Sequence, residues 1–76
     1  MISTIEFDRI TFEPGKMGGR ACIRGLRITV AQVLSRLAGG AAVEDVLAEY
    51  PDLDDQDVRQ ALAYAAWLAG ERVVTA

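Results

Sequence analysis

Two sets of side chains in this 76-residue chain have types and spacings suited to chemistry. The first is Arg20, Arg24 and Arg27, set in the glycine-rich stretch 14–30. A guanidinium offers a planar fork of donors that grips a carboxylate or a phosphate in bidentate fashion. Such an arm fits an acidic site on another protein or the backbone of a nucleic acid. The second set is Asp52, Asp54, Asp55 and Asp57. Clustered carboxylates invite a metal, but an EF-hand loop needs Gly at its sixth position and Glu at its twelfth. Counted from Asp52, those positions hold Asp57 and Ala63. The four acids therefore read as a helix cap, first-turn acids that favour the helix dipole, and a solvated loop. The chain has no histidine, which removes the usual general base near neutral pH and any Cys/His zinc site. No Lys-Ser or Lys-Thr follows a glycine at Walker A spacing. Cys22, between Ala21 and Ile23, reads as a small buried hydrophobe. The expectation is a non-enzymatic protein with no metal and no cofactor.

Charge is distributed unevenly along the chain. Residues 9–36 carry Arg9, Lys16, Arg20, Arg24, Arg27 and Arg36 against the single anion Glu13, whereas residues 37–76 carry Arg59 and Arg72 against eight anions. This split points to two contact surfaces, or to pairing between copies. Size points the same way. A domain this short buries only about 60% of the surface its unfolded chain exposes, so it needs support from outside its own core. The single cysteine excludes an internal disulfide and fits a reducing compartment. A homodimer or a tightly bound partner is expected. No apolar run spans a membrane and the start lacks signal-peptide character, so the chain reads as soluble, cytoplasmic and of bacterial type.

The elements that must position these residues are short. Residues 4–12 alternate weakly through Ile5, Phe7, Ile10 and Phe12, with a slip at Asp8-Arg9, as bulged extended segments do. Residues 21–23 and 26–28 are predicted to form a hairpin about Arg24-Gly25, with Gly25 at positive φ. Thr29 and Gln32 form a capping box, and Val30, Val33, Leu34, Leu37 and Ala38 follow as one apolar stripe up to Gly39-Gly40. A second helix, poorly capped at Ala41-Ala42, spans about 42–49 with Val43, Val46, Leu47 and Tyr50 on one face, and Pro51 stops it. The third starts from Asp54 as N-cap, with Leu53 and Val58 as a hydrophobic staple. Its inner face is expected to be Val58, Ala61, Leu62, Ala65, Leu68 and Ala69. The fold class is thus mainly α: a three-helix, homeodomain-like helix-turn-helix bundle with a short N-terminal β segment. One domain covers 1–76, divided into a β-rich basic arm (1–28), the trihelical unit (29–70) and a tail (71–76).

Partner contact is expected at both ends of this layout. Three acids at the start of the third helix would repel phosphates, so DNA, if bound, should meet the arm through Arg9, Lys16, Arg20, Arg24 and Arg27. From Ala61 to Gly70 no residue is charged, and Trp67 lies opposite the expected inner face. A helix apolar all round is normally covered on more than one side, by its own tail or by a partner. The expected partner-binding set is Arg20, Arg24, Arg27, Tyr64 and Trp67.

Arg9-Ile10-Thr11, Pro14, Gly18-Gly19, Ile23-Arg24-Gly25-x-Arg27-Ile28-x-Val30, Gly40, Tyr50-Pro51-x-Leu53 and Asp57-Val58-x-x-Ala61-Leu62-x-Tyr64 together form a recognisable pattern. It resembles the family known as domain of unknown function 433, over about residues 8–69. The resemblance implies a small helix-turn-helix-like protein with an N-terminal β segment. Several such proteins are regarded as VapB-type antitoxins of toxin–antitoxin modules, paired with PIN-like ribonuclease toxins. It also implies that Arg24, Gly25, Arg27 and Ile28 occupy a signature turn. Leu26 departs from a common Thr and Ala42 from a common Ser. The expected function is neutralisation of a PIN-like toxin. The alternative is a small dimeric transcriptional regulator that binds operator DNA through its arm.

Overall fold

The computed structural model describes residues 7–73, with side chains through Gly70. The expectations for residues 4–6, and for the tail beyond residue 73, lie outside the described residues. Two strands, β1 (Ile10–Thr11) and β2 (Cys22–Ile23), precede three helices: α1 (Val30–Ala38), α2 (Val43–Glu49) and α3 (Asp55–Val73). The architecture is mainly helical with a short antiparallel pair at its N-terminal end.

The hairpin differs from its sequence expectation. Strand β2 pairs with β1, with Ile10 opposite Ile23 and Thr11 opposite Cys22. Residues 26–28 form no strand. The turn itself is tight: the Leu26 N–H donates to the Ile23 carbonyl at 2.8 Å, and φ is 48° at Arg24 and 71° at Gly25. Positive φ at both central residues is the type I′ arrangement. Beyond it the Ile23 N–H reaches the Ile28 carbonyl at 3.0 Å, and pairing ends in one bridge, Cys22 to Thr29. It ends there because Thr29 is already committed to opening α1. Its Oγ1 accepts the Gln32 N–H at 3.0 Å, while Gln32 Oε1 accepts the Thr29 N–H at 2.8 Å.

Helix ends follow the local chemistry. At the close of α1, Gly40 takes φ 103°, the Gly40 N–H donates to Leu37 O, and the Ala41 N–H donates to Arg36 O. This is the Schellman arrangement, which needs a residue tolerant of positive φ. Ala42 has no acceptor to offer α2, yet Asp45 Oδ2 accepts the Ala42 N–H at 2.9 Å, so half of a capping box survives. Asp54 caps α3 as expected, its Oδ1 accepting the Asp57 N–H at 2.9 Å.

The core joins all three helices to the strand pair through Ile10, Ile23, Val30, Val33, Val46, Leu53, Val58 and Ala61. Cys22 is buried beside it. Helix α3 keeps Val58 and Ala61 inward as expected, with Ala65 and Leu68 half-buried, and departs from the expectation at Leu62 and Ala69. Leu62, assigned to the inner face, is 45% exposed, whereas Asp57 is fully buried and Tyr64 packs on the core. The inward stripe is Asp57, Val58, Ala61 and Tyr64. Because residues 61–70 are apolar all round, their pattern does not choose a rotation; the choice is made by what Asp57 meets.

A Cβ at Gly25 would be held at positive φ and placed 3.4 Å from Glu13 Oε2. Gly25→Ala should cost about 1–2 kcal/mol in urea unfolding. Gly15→Ala, with nothing within 4 Å of the added carbon, should leave the midpoint nearly unchanged.

Candidate functional site

The arginines of the N-terminal arm converge on a carboxylate of their own chain. Arg24 approaches Asp57 side-on, with Nε 2.9 Å from Oδ1 and Nη2 2.8 Å from Oδ2. Arg9 Nη1 lies 2.7 Å from the same Oδ1 and 3.0 Å from Asp54 Oδ1. The Asp54 N–H adds a fourth donor to Asp57 Oδ2 at 2.9 Å, and Arg24 Nη2 also donates to the Asp52 carbonyl at 2.6 Å. Asp57 is fully buried, while the side chains of Arg9 and Arg24 remain 30% and 39% exposed. Burial alone would raise the Asp57 pKa. The Arg24 fork, the Asp54 N–H and Arg9 outweigh it and hold the carboxyl at about 2, below its ordinary 3.8. The same contacts raise both guanidinium pKa values.

Local structure aims Arg24 at this point. The positive-φ turn is fastened by its Gly25 N–H, which donates to Thr11 Oγ1 at 2.9 Å, and by the Gly25 carbonyl, which accepts from Lys16 Nζ. Strand pairing places Arg9 beside it, since the Arg24 N–H donates to the Arg9 carbonyl at 2.7 Å. Gln60, one turn beyond Asp57, accepts the Arg9 N–H and donates to Asp8 Oδ1 at 3.1 Å. The signature residues Arg9, Thr11, Arg24, Gly25 and Asp57 thus form one fastening between the arm and α3.

The sequence reading takes Asp57 as a first-turn acid of the third helix, and it does sit there; what the reading misses is that the side chain is fully buried. One signal could have found it. Asp57 stands four residues before Ala61 and seven before Tyr64, on the helical stripe that packs inward.

The other candidate residues separate into two groups. Lys16 pairs with Glu13 at 3.3 Å, and Arg36 pairs with Glu49 at 2.6 Å. With Arg9 and Arg24 engaged at Asp57, four of the six arm-side cations are held by this chain's own carboxylates. Arg20 and Arg27 are exposed and, among the described residues, form no ion pair. Asp55, at the start of α3, pairs with Arg59 at 2.6 Å.

Tyr64 and Trp67 do lie together, in an aromatic group completed from the N-terminal segment. Phe7 meets Tyr64 edge-on at 5.4 Å and Trp67 at 5.7 Å, Tyr64 stacks on Trp67 at 6.3 Å, and Phe12 approaches Tyr64 at 6.3 Å. Phe12 and Trp67 nevertheless remain 58% and 39% exposed. Beside them Phe12, Ala21, Val30, Leu34, Tyr64 and Leu68 line an apolar groove of about 390 Å³, with Arg20 also in its wall. Among the described residues no helix is long and apolar enough to cross a membrane.

The fold and this surface define a small, mainly helical domain with a braced β arm and a partly exposed aromatic group. The chain belongs to the family described as protein of unknown function DUF433, whose model matches residues 10–65. It is 38% identical over 56 residues to uncharacterized protein y4eO of Sinorhizobium fredii (strain NBRC 101917 / NGR234). That match covers 74% of this chain and 25% of the relative, so the chain spans about a quarter of that protein's length. The fold is similar to the crystal structure of a DUF433 member from Anabaena variabilis ATCC 29413, with TM-score 0.78 and 30% identity. The alignment covers 91% of this chain and 68% of that one.

Since the Asp57 pKa is lower in the folded state than in the unfolded one, its stabilisation is complete above about pH 4. It is lost as pH falls towards about 2. The thermal midpoint should fall through that window, and Asp57→Asn should flatten the Asp57 share of the fall. At pH 7 the same substitution should cost about 2 kcal/mol, less than the 3–5 kcal/mol of a fully buried pair because both arginines can rehydrate. For a domain of this size that is roughly 10 °C in Tm by calorimetry.

Proposed function

We propose that this protein is a non-enzymatic, antitoxin-like binding module that neutralises a PIN-like ribonuclease partner by docking through its aromatic face. The observation that carries the reading is the exposure of Phe12 and Trp67, which lie together with Tyr64, on a domain with its own buried core. Large aromatic side chains left partly in water, with an arginine beside them, are the composition of protein-interface hot spots. Family resemblance supplies the antitoxin class and the nuclease partner.

The ion-pair geometry favours this reading over operator binding. DNA affinity depends on cations free to neutralise phosphates. Arg9 and Arg24 serve Asp57, and Lys16 serves Glu13 and the Gly25 carbonyl. Of the five residues expected to contact DNA, Arg20 and Arg27 remain. The expected role of Arg24 in gripping a partner's carboxylate passes to these two as well, because its fork already holds Asp57.

The test is to read the neighbouring open reading frames for a short PIN-like protein and to co-express it with this chain. Phe12→Glu should weaken complex formation at least tenfold and abolish rescue of growth, with the circular dichroism spectrum and Tm of the module retained. Undiminished rescue by Phe12→Glu together with Trp67→Glu would remove the aromatic face as the docking site. Retardation of promoter DNA with a steep salt dependence, in the absence of any protein complex, would favour the regulator.

A further inference from the structure

The apolar groove does not end at its aromatic wall. Arg20 and Ala31 are shared with a second groove of about 360 Å³, lined also by Gln32, Ser35, Arg36 and Tyr50. The two open depressions adjoin at Arg20 and Ala31 and together make one shallow channel along α1. Its character changes along its length. The first half is walled by Phe12, Leu34, Tyr64 and Leu68, whereas the second presents two guanidinium groups with the amide of Gln32 and the hydroxyls of Ser35 and Tyr50. Among the described residues no carboxylate lines either half, although Glu49 pairs with Arg36 at 2.6 Å.

Both arginines keep donors to spare. Arg20 enters no ion pair among the described residues. Arg36 spends its Nε–H on Glu49 at 2.6 Å, which leaves its terminal nitrogens uncommitted among the described side-chain contacts. Glu49 also steadies the guanidinium, so less rotamer freedom is lost when a ligand arrives. A guanidinium held on one edge and open on another is suited to bidentate capture of a carboxylate.

We infer that this channel receives an acidic amphipathic segment of the protein partner, its apolar side chains in the Phe12–Leu68 half and a carboxylate between Arg20 and Arg36. The inference rests on the docking reading above and adds the chemistry of what is docked. Charge complementarity selects the occupant. A polyanion long enough to follow the channel would meet in its apolar half no cation besides the shared Arg20, and the whole chain carries a net charge of −3, which disfavours nucleic acid. A short segment with separate apolar and acidic faces matches both halves.

The test uses the full chain and a display library of random 12-residue peptides. Selected sequences should be enriched in Asp or Glu spaced three or four residues from Leu, Phe or Ile. The best peptide, followed by fluorescence anisotropy, should bind about tenfold more weakly to Arg20→Gln and to Arg36→Gln, and to Leu34→Ser for its apolar half. Replacing its acids by Gln should reproduce the loss on the native chain and add nothing on the double arginine variant. Neutral or basic selected sequences, no enrichment, or affinity unchanged in the double variant would overturn the inference. So would tight competition by a 12-nucleotide single-stranded RNA. The toxin complex separates this idea from its parent: loss with Phe12→Glu but not with Arg20→Gln and Arg36→Gln would sink the acidic segment while leaving antitoxin function intact.

Discussion

A carboxylate that has lost its water must find its charge balance in the protein, and Asp57 sets this requirement for the rest of the chain. It sits in the first turn of α3, fully buried, and accepts from Arg24, Arg9 and the Asp54 backbone. Each donor comes from a different local device. Arg24 is carried by a positive-φ turn, Arg9 by the strand pair, and the Asp54 N–H by a reciprocal cap at the helix start. The two-residue strands β1 and β2 are too short to be stable as a free hairpin. Their position depends on the core beneath Ile10 and Ile23 and on the arginines anchored at Asp57.

Magnitudes rank the ion pairs. Arg59–Asp55 lies along the outer face of α3, and Arg36–Glu49 links α1 to α2 between half-exposed side chains. Pairs of that kind contribute about 0–1 kcal/mol. The Asp57 cluster differs because one member is desolvated: removing a donor leaves a buried charge short of partners, and that deficit is what makes such pairs matter. The rotation of α3 follows from the same difference. Its apolar second half would pack about equally well at several rotations, whereas Asp57 is satisfied at one. With that rotation set, Ala61 and Tyr64 turn inward, while Leu62 and Trp67 stay at the surface. The position of the exposed aromatic group therefore goes with the ion-pair cluster.

The uneven charge along the chain takes a different meaning in three dimensions. As a linear pattern, a basic front and an acidic back look like two surfaces awaiting partners. In the folded chain much of the front neutralises the back: Arg9 and Arg24 meet Asp54 and Asp57, and Arg36 meets Glu49. Among the described residues Arg20 and Arg27 stay outside every ion pair, and Arg20 alone of these two lies beside the exposed Phe12.

Local chemistry was legible in the residues themselves. The Thr29–Gln32 box, the stop at Gly39-Gly40, the Asp54 cap, the Leu53–Val58 staple and the positive φ of Gly25 each depend on atoms a few positions apart, so spacing alone determines them. The helix count and the burial of Val33 and Val46 follow from periodicity in the same way. The tertiary structure decided whatever joins distant residues. It added β1 as the strand partner of β2 beside the short return pairing at residues 28–30, gave Arg24 a carboxylate 33 positions away, and brought Phe7 and Phe12 to Tyr64. The physical reason is that a guanidinium looks the same in sequence whether its carboxylate belongs to another molecule or to its own chain. Only packing, which brought Asp57 beneath the arm and took its water away, distinguishes the two.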